Sequence, residues 1–298
     1  MAVLRSASAM RGDECCMMLP RRSLAGCIYA AVVRDTRGMS FVAEDRVNYF
    51  PATPFCAVSL FFEGQSIMAT NWRGADIHAP LPSPLPATVF SGPHGRPTVS
   101  LNPGTVYAMS IGFYPEAIQE LLGVNISRYR DHILPAETVL TPPLLQLCDS
   151  ALAAGDAISA FERFQDGLDP QWQLARPRKN PASRWLSDWT HHMLQQAATS
   201  GAGRSLRQIE RRMKSWTGQS HRDLATLGRL ETAFAEMMQR TSDDKENWAQ
   251  LAIASGFSDQ PHLVREVRRV TGFPPAQLRR RIKTDRAFWY YRLIGELY

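Results

Sequence analysis

Residues 248–281, WAQLAIASGFSDQPHLVREVRRVTGFPPAQLRRR, place the tightest limits on how this chain can fold. Leu251, Ala252 and Ala254 lie in a short helical run. Gly256 falls where that run must stop, because glycine accepts the positive φ of a tight helix-to-helix turn. Phe257 plugs the joint. Ser258 or Asp259 can cap a second helix, with Pro261 tolerated in its first turn. Along that helix Leu263, Val267 and Val270 recur at spacings of 4 and 3 and share one face. His262, Arg265, Arg268 and Arg269 fall elsewhere around it. A short helix, a glycine turn and a basic second helix describe a helix-turn-helix, whose second helix enters the major groove of DNA.

The same pattern occurs earlier, over residues 194–218. Its turn holds Gly201 and Gly203, and Ser205 is a fitting N-cap. The helix that follows sets Leu206, Ile209, Met213 and Trp216 inward, while Arg207, Arg211 and Lys214 share another face. Residues 220–240 then read as one connecting helix of roughly 30 Å at 1.5 Å per residue. That length can hold two recognition helices about one DNA turn, near 34 Å, apart. The uneven charge agrees. Residues 1–175 carry 12 Lys+Arg against 16 Asp+Glu, and residues 176–298 carry 22 against 12. An acidic half joined to a basic half puts the polyanion on the C-terminal side.

The order Ala252, Gly256-Phe257, Asp259, Leu263, Arg265, Gly272, Pro274 or Pro275, Leu278-Arg279 resembles the C-terminal signature of the AraC/XylS family of bacterial transcription regulators. Ser205, Arg207, Ile209, Arg211 and Gly218 hold the places of that family's first helix-turn-helix. The chain departs from the pattern at Pro261, where the family more often has serine or another polar residue. The resemblance implies a sequence-specific DNA-binding protein with no catalytic activity and no cofactor. Its expected partners are double-stranded DNA, a small-molecule effector of unknown identity, a second copy of the chain and, for an activator, RNA polymerase. The expected location is the cytoplasm, on the bacterial nucleoid.

Arg207 and Arg211 of the first recognition helix, with Gln260 and Arg265 of the second, are the expected base readers. Arginine can donate two bonds to guanine O6 and N7, and glutamine can pair similarly with adenine. Phosphate contact, which fixes register without reading sequence, is the alternative for each arginine. Ser205 and Ser258 offer phosphate contacts at helix N-termini. Pro261 and His262 complete the expected DNA-facing set. Arg212, Lys214, Arg268 and Arg269 are expected on phosphate or in surface ion pairs.

The first half reads as β structure. Apolar runs at residues 27–33, 55–62, 66–70, 87–91, 98–101 and 105–112 are punctuated by Gly and Pro, and a helix over 115–122 closes them. Residues 1–25 lack a pattern and read as irregular. In the AraC/XylS family such a half is a cupin-like β-barrel that senses a small molecule. Trp72, Phe90, His94, Arg96 and Tyr107 are the expected ligand-binding residues, the aromatics serving equally well as plain core. Residues 142–175 read as two helices broken near Gly155, which either pair two subunits or pack on their own barrel.

The expected fold class is therefore α+β: a cupin-like sensor domain over 1–141, a helical dimerisation or linker segment over 142–180, and a double helix-turn-helix domain over 181–298. Metal chemistry finds little support. His78 and His94 lack cupin spacing, His191 and His192 diverge by about 100° on a helix, and Cys15, Cys16, Cys27, Cys56 and Cys148 show no zinc-site spacing. A cupin-type enzyme fused to a DNA-targeting domain is the alternative reading. No run of eighteen apolar residues predicts a membrane span.

Overall fold

The computed structural model describes residues 3–5, 14–40, 46–69, 83–176, 185–200, 205–239 and 247–295. Among them the N-terminal half builds two antiparallel sheets. The larger runs β1 (Val3–Arg5), β2 (Glu14–Met18), β3 (Ile28–Asp35), β9 (Tyr107–Phe113), β5 (Cys56–Glu63), β7 (Thr88–Ser91), β10 (Ile133–Pro135). The smaller runs β4 (Val47–Phe50), β8 (Thr98–Leu101), β6 (Ile67–Met68). The α+β class is observed, but the described residues do not close into the barrel expected from the sequence. The second layer is made of strands only two to four residues long, and β1 and β10 remain separate edges of the first. The irregular N-terminus expected from the sequence is also corrected. Glu14–Met18 pairs with β3 over five registered positions, because backbone groups offered by an apolar neighbour can recruit a strand that lacks its own alternation.

Strand β9 shows why the large sheet sits where it does. Tyr107, Met109, Ile111 and Phe113 are buried on one face, and Ala108, Ser110 and Gly112 occupy the other. The bulky face packs under helices α1 (Pro115–Leu122), α2 (Pro142–Leu152) and α3 (Ala157–Ala175), with Phe113 against Phe164 at 6.2 Å between ring centres. The Tyr107 hydroxyl accepts the Ala157 N–H at 2.6 Å, satisfying an open donor at the start of α3. Helix α1 has the bounds predicted from its Pro-Glu start and Gly123 stop, and Gly123 adopts φ 66°.

The C-terminal half is helical: α4 (Leu186–Thr199), α5 (Leu206–Thr217), α6 (His221–Gln239), α7 (Trp248–Ala254), α8 (Gln260–Thr271), α9 (Pro275–Thr284) and α10 (Trp289–Gly295). Two cores cross the sequence boundary near residue 181. Trp189, Met193, Ala197 and Met213 of α4 and α5 belong to the core under the large sheet. Val47, Val99 and Leu101 of the small sheet belong to the core of the second helix-turn-helix, with Leu251, Phe257, Leu263 and Phe288. No helix among the described residues is long and apolar enough to cross a membrane.

Candidate nucleic-acid interface and cavity

Helices α5 and α8 are built alike. Ser205 caps α5 in a reciprocal box with Gln208, and Asp259 caps α8 by accepting the His262 N–H at 2.6 Å. Of the two caps open in the sequence, Asp259 is the one used. Each helix closes on a Thr-Gly pair. Thr217 Oγ1 donates to the Met213 carbonyl and accepts the Gln219 N–H, and Thr271 Oγ1 does the same with Val267 and Phe273. Gly218 and Gly272 follow in the left-handed region, at φ 72° and 88°. This puts Arg211 and Arg265 at matching positions, each the sixth residue after its cap. Arg207 matches Pro261 in the same way, so the first helix carries a cation where the second carries a ring. Gly201 and Gly203 of the first turn lie outside the described residues.

Arg207, Arg211 and Lys214 are exposed on α5, as are Gln260, Pro261, Arg265 and Arg268 on α8. The other expected DNA contacts are partly engaged within the protein. Arg212 Nη1 donates to the Ala197 carbonyl at 2.8 Å and ties α5 to the end of α4. Arg269 pairs with Glu266 at 2.7 Å. His262 is half-buried, edge-on to Phe257, with Nδ1 3.0 Å from Ser258 Oγ. Ser205 Oγ is occupied by the capping box.

The C-terminal half of α5 rests on the strand-rich half. It packs against α1 and the turn Ile126–Tyr129, and a Cβ on Gly218 would stand 3.3 Å from Pro93. Trp189 Nε1 donates to Glu116 Oε1 at 2.7 Å, joining α4 to α1. Burial raises the Glu116 carboxyl to about 7, against the smaller opposing pull of the Trp189 hydrogen bond. Residues 51–55 reach both recognition helices. The Ala52 N–H donates to the Val270 carbonyl at 2.8 Å, and Gln219 Nε2 donates to the Thr53 carbonyl at 3.2 Å.

Between the two sheets lies a cavity of about 220 Å³. Its floor is the small-residue face of the large sheet. The register sets Ser91, Ala57, Gly112 and Ala30 in one row and Val89, Ser59, Ser110 and Val32 in the next. Phe61, Ala108 and Arg34 form a third. Asn48, Phe50, Thr98 and Ser100 of the small sheet face them, and Trp289 and Tyr290 of α10 complete the wall. Trp289 Nε1 and Arg34 Nη1 both donate to Asn48 Oδ1, at 3.0 and 2.7 Å. The Arg34 guanidinium stands 4.7 Å from the centre of the Trp289 ring.

Of the expected ligand-binding residues, His94 lines this cavity. Phe90 and Tyr107 face the helices instead, because the bulky side of each strand is the side that a helix can cover. Arg96 is exposed and Trp72 lies outside the described residues. Arg34, Asn48, Ser59, Ser110, Trp289 and Tyr290 also line it, and no sequence motif marks them. The one sequence signal for the floor is the small alternation of Ala57 and Ser59, and of Ala108, Ser110 and Gly112.

Two exposed, matching arginine-bearing helices, one on each side of α6 in the chain, are the build of a DNA-binding domain. Residues 198–281 match the family model described as a helix-turn-helix domain, and this domain is of the AraC type. The matched segment holds both recognition helices, α5 and α8. No curated protein sequence matches it. Among solved structures it is similar to an apo variant of ToxT from Vibrio cholerae, at 10% identity and a TM-score of 0.39, covering 84% of this chain and 96% of that one. A second is wild-type ToxT from the same organism bound to an unsaturated fatty acid, at 10% and 0.34, covering 78% and 94%. A third is the AraC-like transcriptional activator CuxR, at 12% and 0.31, covering 97% and 90%.

Proposed function

We propose that this chain is a one-component regulator, working on the nucleoid in the cytoplasm, whose affinity for a specific DNA site is set by a small molecule held in the cavity. One observation carries the reading. The cavity wall includes Trp289 and Tyr290 of the DNA-binding half, and residues 51–55 run from that wall to the C-terminal ends of α5 and α8. A ligand that repositions either feature has different contact energy in two arrangements of the helices, which is what a shift of population requires. Arg207, Arg211, Gln260 and Arg265 read base edges, with Ser205, Ser258, Pro261 and His262 at the approach to the groove. Two copies bind as a homodimer, α2 and α3 supply the pairing surface, and an activating role adds a contact with RNA polymerase.

The test is a DNA titration with and without small molecules already shown to bind the protein. A site that is held against excess random DNA, with an affinity that moves at least threefold when a ligand binds, supports the proposal. An affinity indifferent to every bound ligand removes the effector from it. Equal binding to random DNA removes the specificity.

A further inference from the structure

The chemistry of His94 narrows the class of molecule that the cavity takes. His94 is among the residues that line the cavity and is only 8% exposed. Its Nε2 is shielded and has no hydrogen-bond partner among the described residues. Its Nδ1 faces the Asp131 carboxylate at 3.8 Å, which favours the tautomer that carries its proton on Nδ1. Burial holds the ring below the ordinary imidazole range, against the upward pull of Asp131, so it is neutral near pH 7. Nε2 is then a lone-pair acceptor, buried without a donor among the described residues. Arg34, the other base in the wall, donates to Asn48 and lies over Trp289.

The remaining wall is flat and apolar. The rows of small residues on β3, β9, β5 and β7 leave a planar floor, and Phe50, Phe55, Trp289 and Tyr290 supply aromatic walls. An apolar cavity of about 150 Å³ takes a benzene molecule, so 220 Å³ has room for a larger ring system. We infer that the effector is a flat aromatic alcohol or phenol whose ring lies on the small-residue floor and whose hydroxyl turns the His94 ring toward the cavity and donates to its Nε2, which is shielded in the structure. This rests on the reading of the cavity as the effector site. It also supplies the route of the signal. His94 and Thr53 form a two-way backbone bridge, His94 N–H to the Thr53 carbonyl at 2.8 Å and Thr53 N–H to the His94 carbonyl at 3.0 Å. The same Thr53 carbonyl accepts Gln219, the second residue beyond recognition helix α5. A hydroxyl that draws the His94 ring toward the cavity therefore pulls on the seat of the first helix-turn-helix.

Calorimetry on the full chain with 2-naphthol, 2-methoxynaphthalene and 2-naphthoate tests the assignment. The first two share a body and differ in the donor. 2-Naphthol is expected to bind about tenfold tighter than its methyl ether, the scale of satisfying one buried acceptor. That preference should fall below about twofold in His94→Phe. Should that variant fail to fold, nitrogen-15 NMR of the histidine rings in the unaltered protein reads the same contact: one Nε2 resonance moves on adding 2-naphthol and stays on adding the ether. Equal affinity for alcohol and ether overturns the proposal, as does tightest binding by the naphthoate, which places the anchor at Arg34, and as does failure of all three to bind. Binding that shows the hydroxyl preference but leaves DNA affinity unchanged keeps the ligand class and overturns the regulatory reading alone.

Discussion

Arg211 and Arg265 occupy matching positions on two helices of the same build, and both are exposed. Replacing either by alanine is expected to weaken the cognate site by about 1–3 kcal/mol and to leave random DNA much less affected, as loss of a base contact does. Arg212→Ala should behave differently. Its guanidinium holds the Ala197 carbonyl, so the variant should lower the melting temperature, with DNA affinity unchanged at temperatures where it is folded. Competition binding and a thermal melt separate the two outcomes. Glu116 gives a residue-scale prediction of another kind. Its carboxyl titrates near 7 when folded, raised from 4.5 by burial, so the folded state keeps a proton that the unfolded chain releases between those values. Stability from this group is full below about pH 4.5 and is lost as pH climbs through 7, by about 3 kcal/mol in all. In Glu116→Gln, urea unfolding at pH 5 and pH 8 should show most of that difference gone.

At the scale of elements, the caps are where sequence and structure agree best. Ser205, Asp259, Gly218, Gly256 and Gly272 bound helices by local chemistry, and local chemistry is written in neighbouring residues. Ser205→Ala removes the capping box and should cost about 1 kcal/mol, read as faster hydrogen exchange over the first turn of α5. Strand bounds were legible for the same reason at β5, β7 and β8, each set off by Gly or Pro. The faces of the strands were not. Tyr107 and Phe90 look like pocket residues because they are aromatic, yet they serve the core under α2 and α3. Nothing in β9 itself states that helices as far along the chain as α2 and α3 will cover its bulky side. The cavity floor of Ala, Ser and Gly carries so little hydropathy that it reads as an ordinary solvent-facing row. Strands β2 and β4 are not legible in the sequence because their pairing partners, not their own alternation, make them strands.

The whole molecule is organised around shared cores more than around the linker. Trp189, Met193 and Met213 are buried against the strand-rich half, and Val99 and Leu101 of that half are buried against the second helix-turn-helix. A fragment beginning at residue 181 would expose those tryptophan and methionine side chains. It is expected to melt well below the full chain and to bind a hydrophobic dye, whereas two independent domains would melt as they do when joined. Circular dichroism of the fragment and the full chain decides this. Trp289 and Tyr290 close the chamber between the sheets, although the floor they cover is built from residues 30–112. During synthesis, then, the floor leaves the ribosome long before its cover does. A nascent chain has no closed chamber until Trp289 and Tyr290 of α10 have been made.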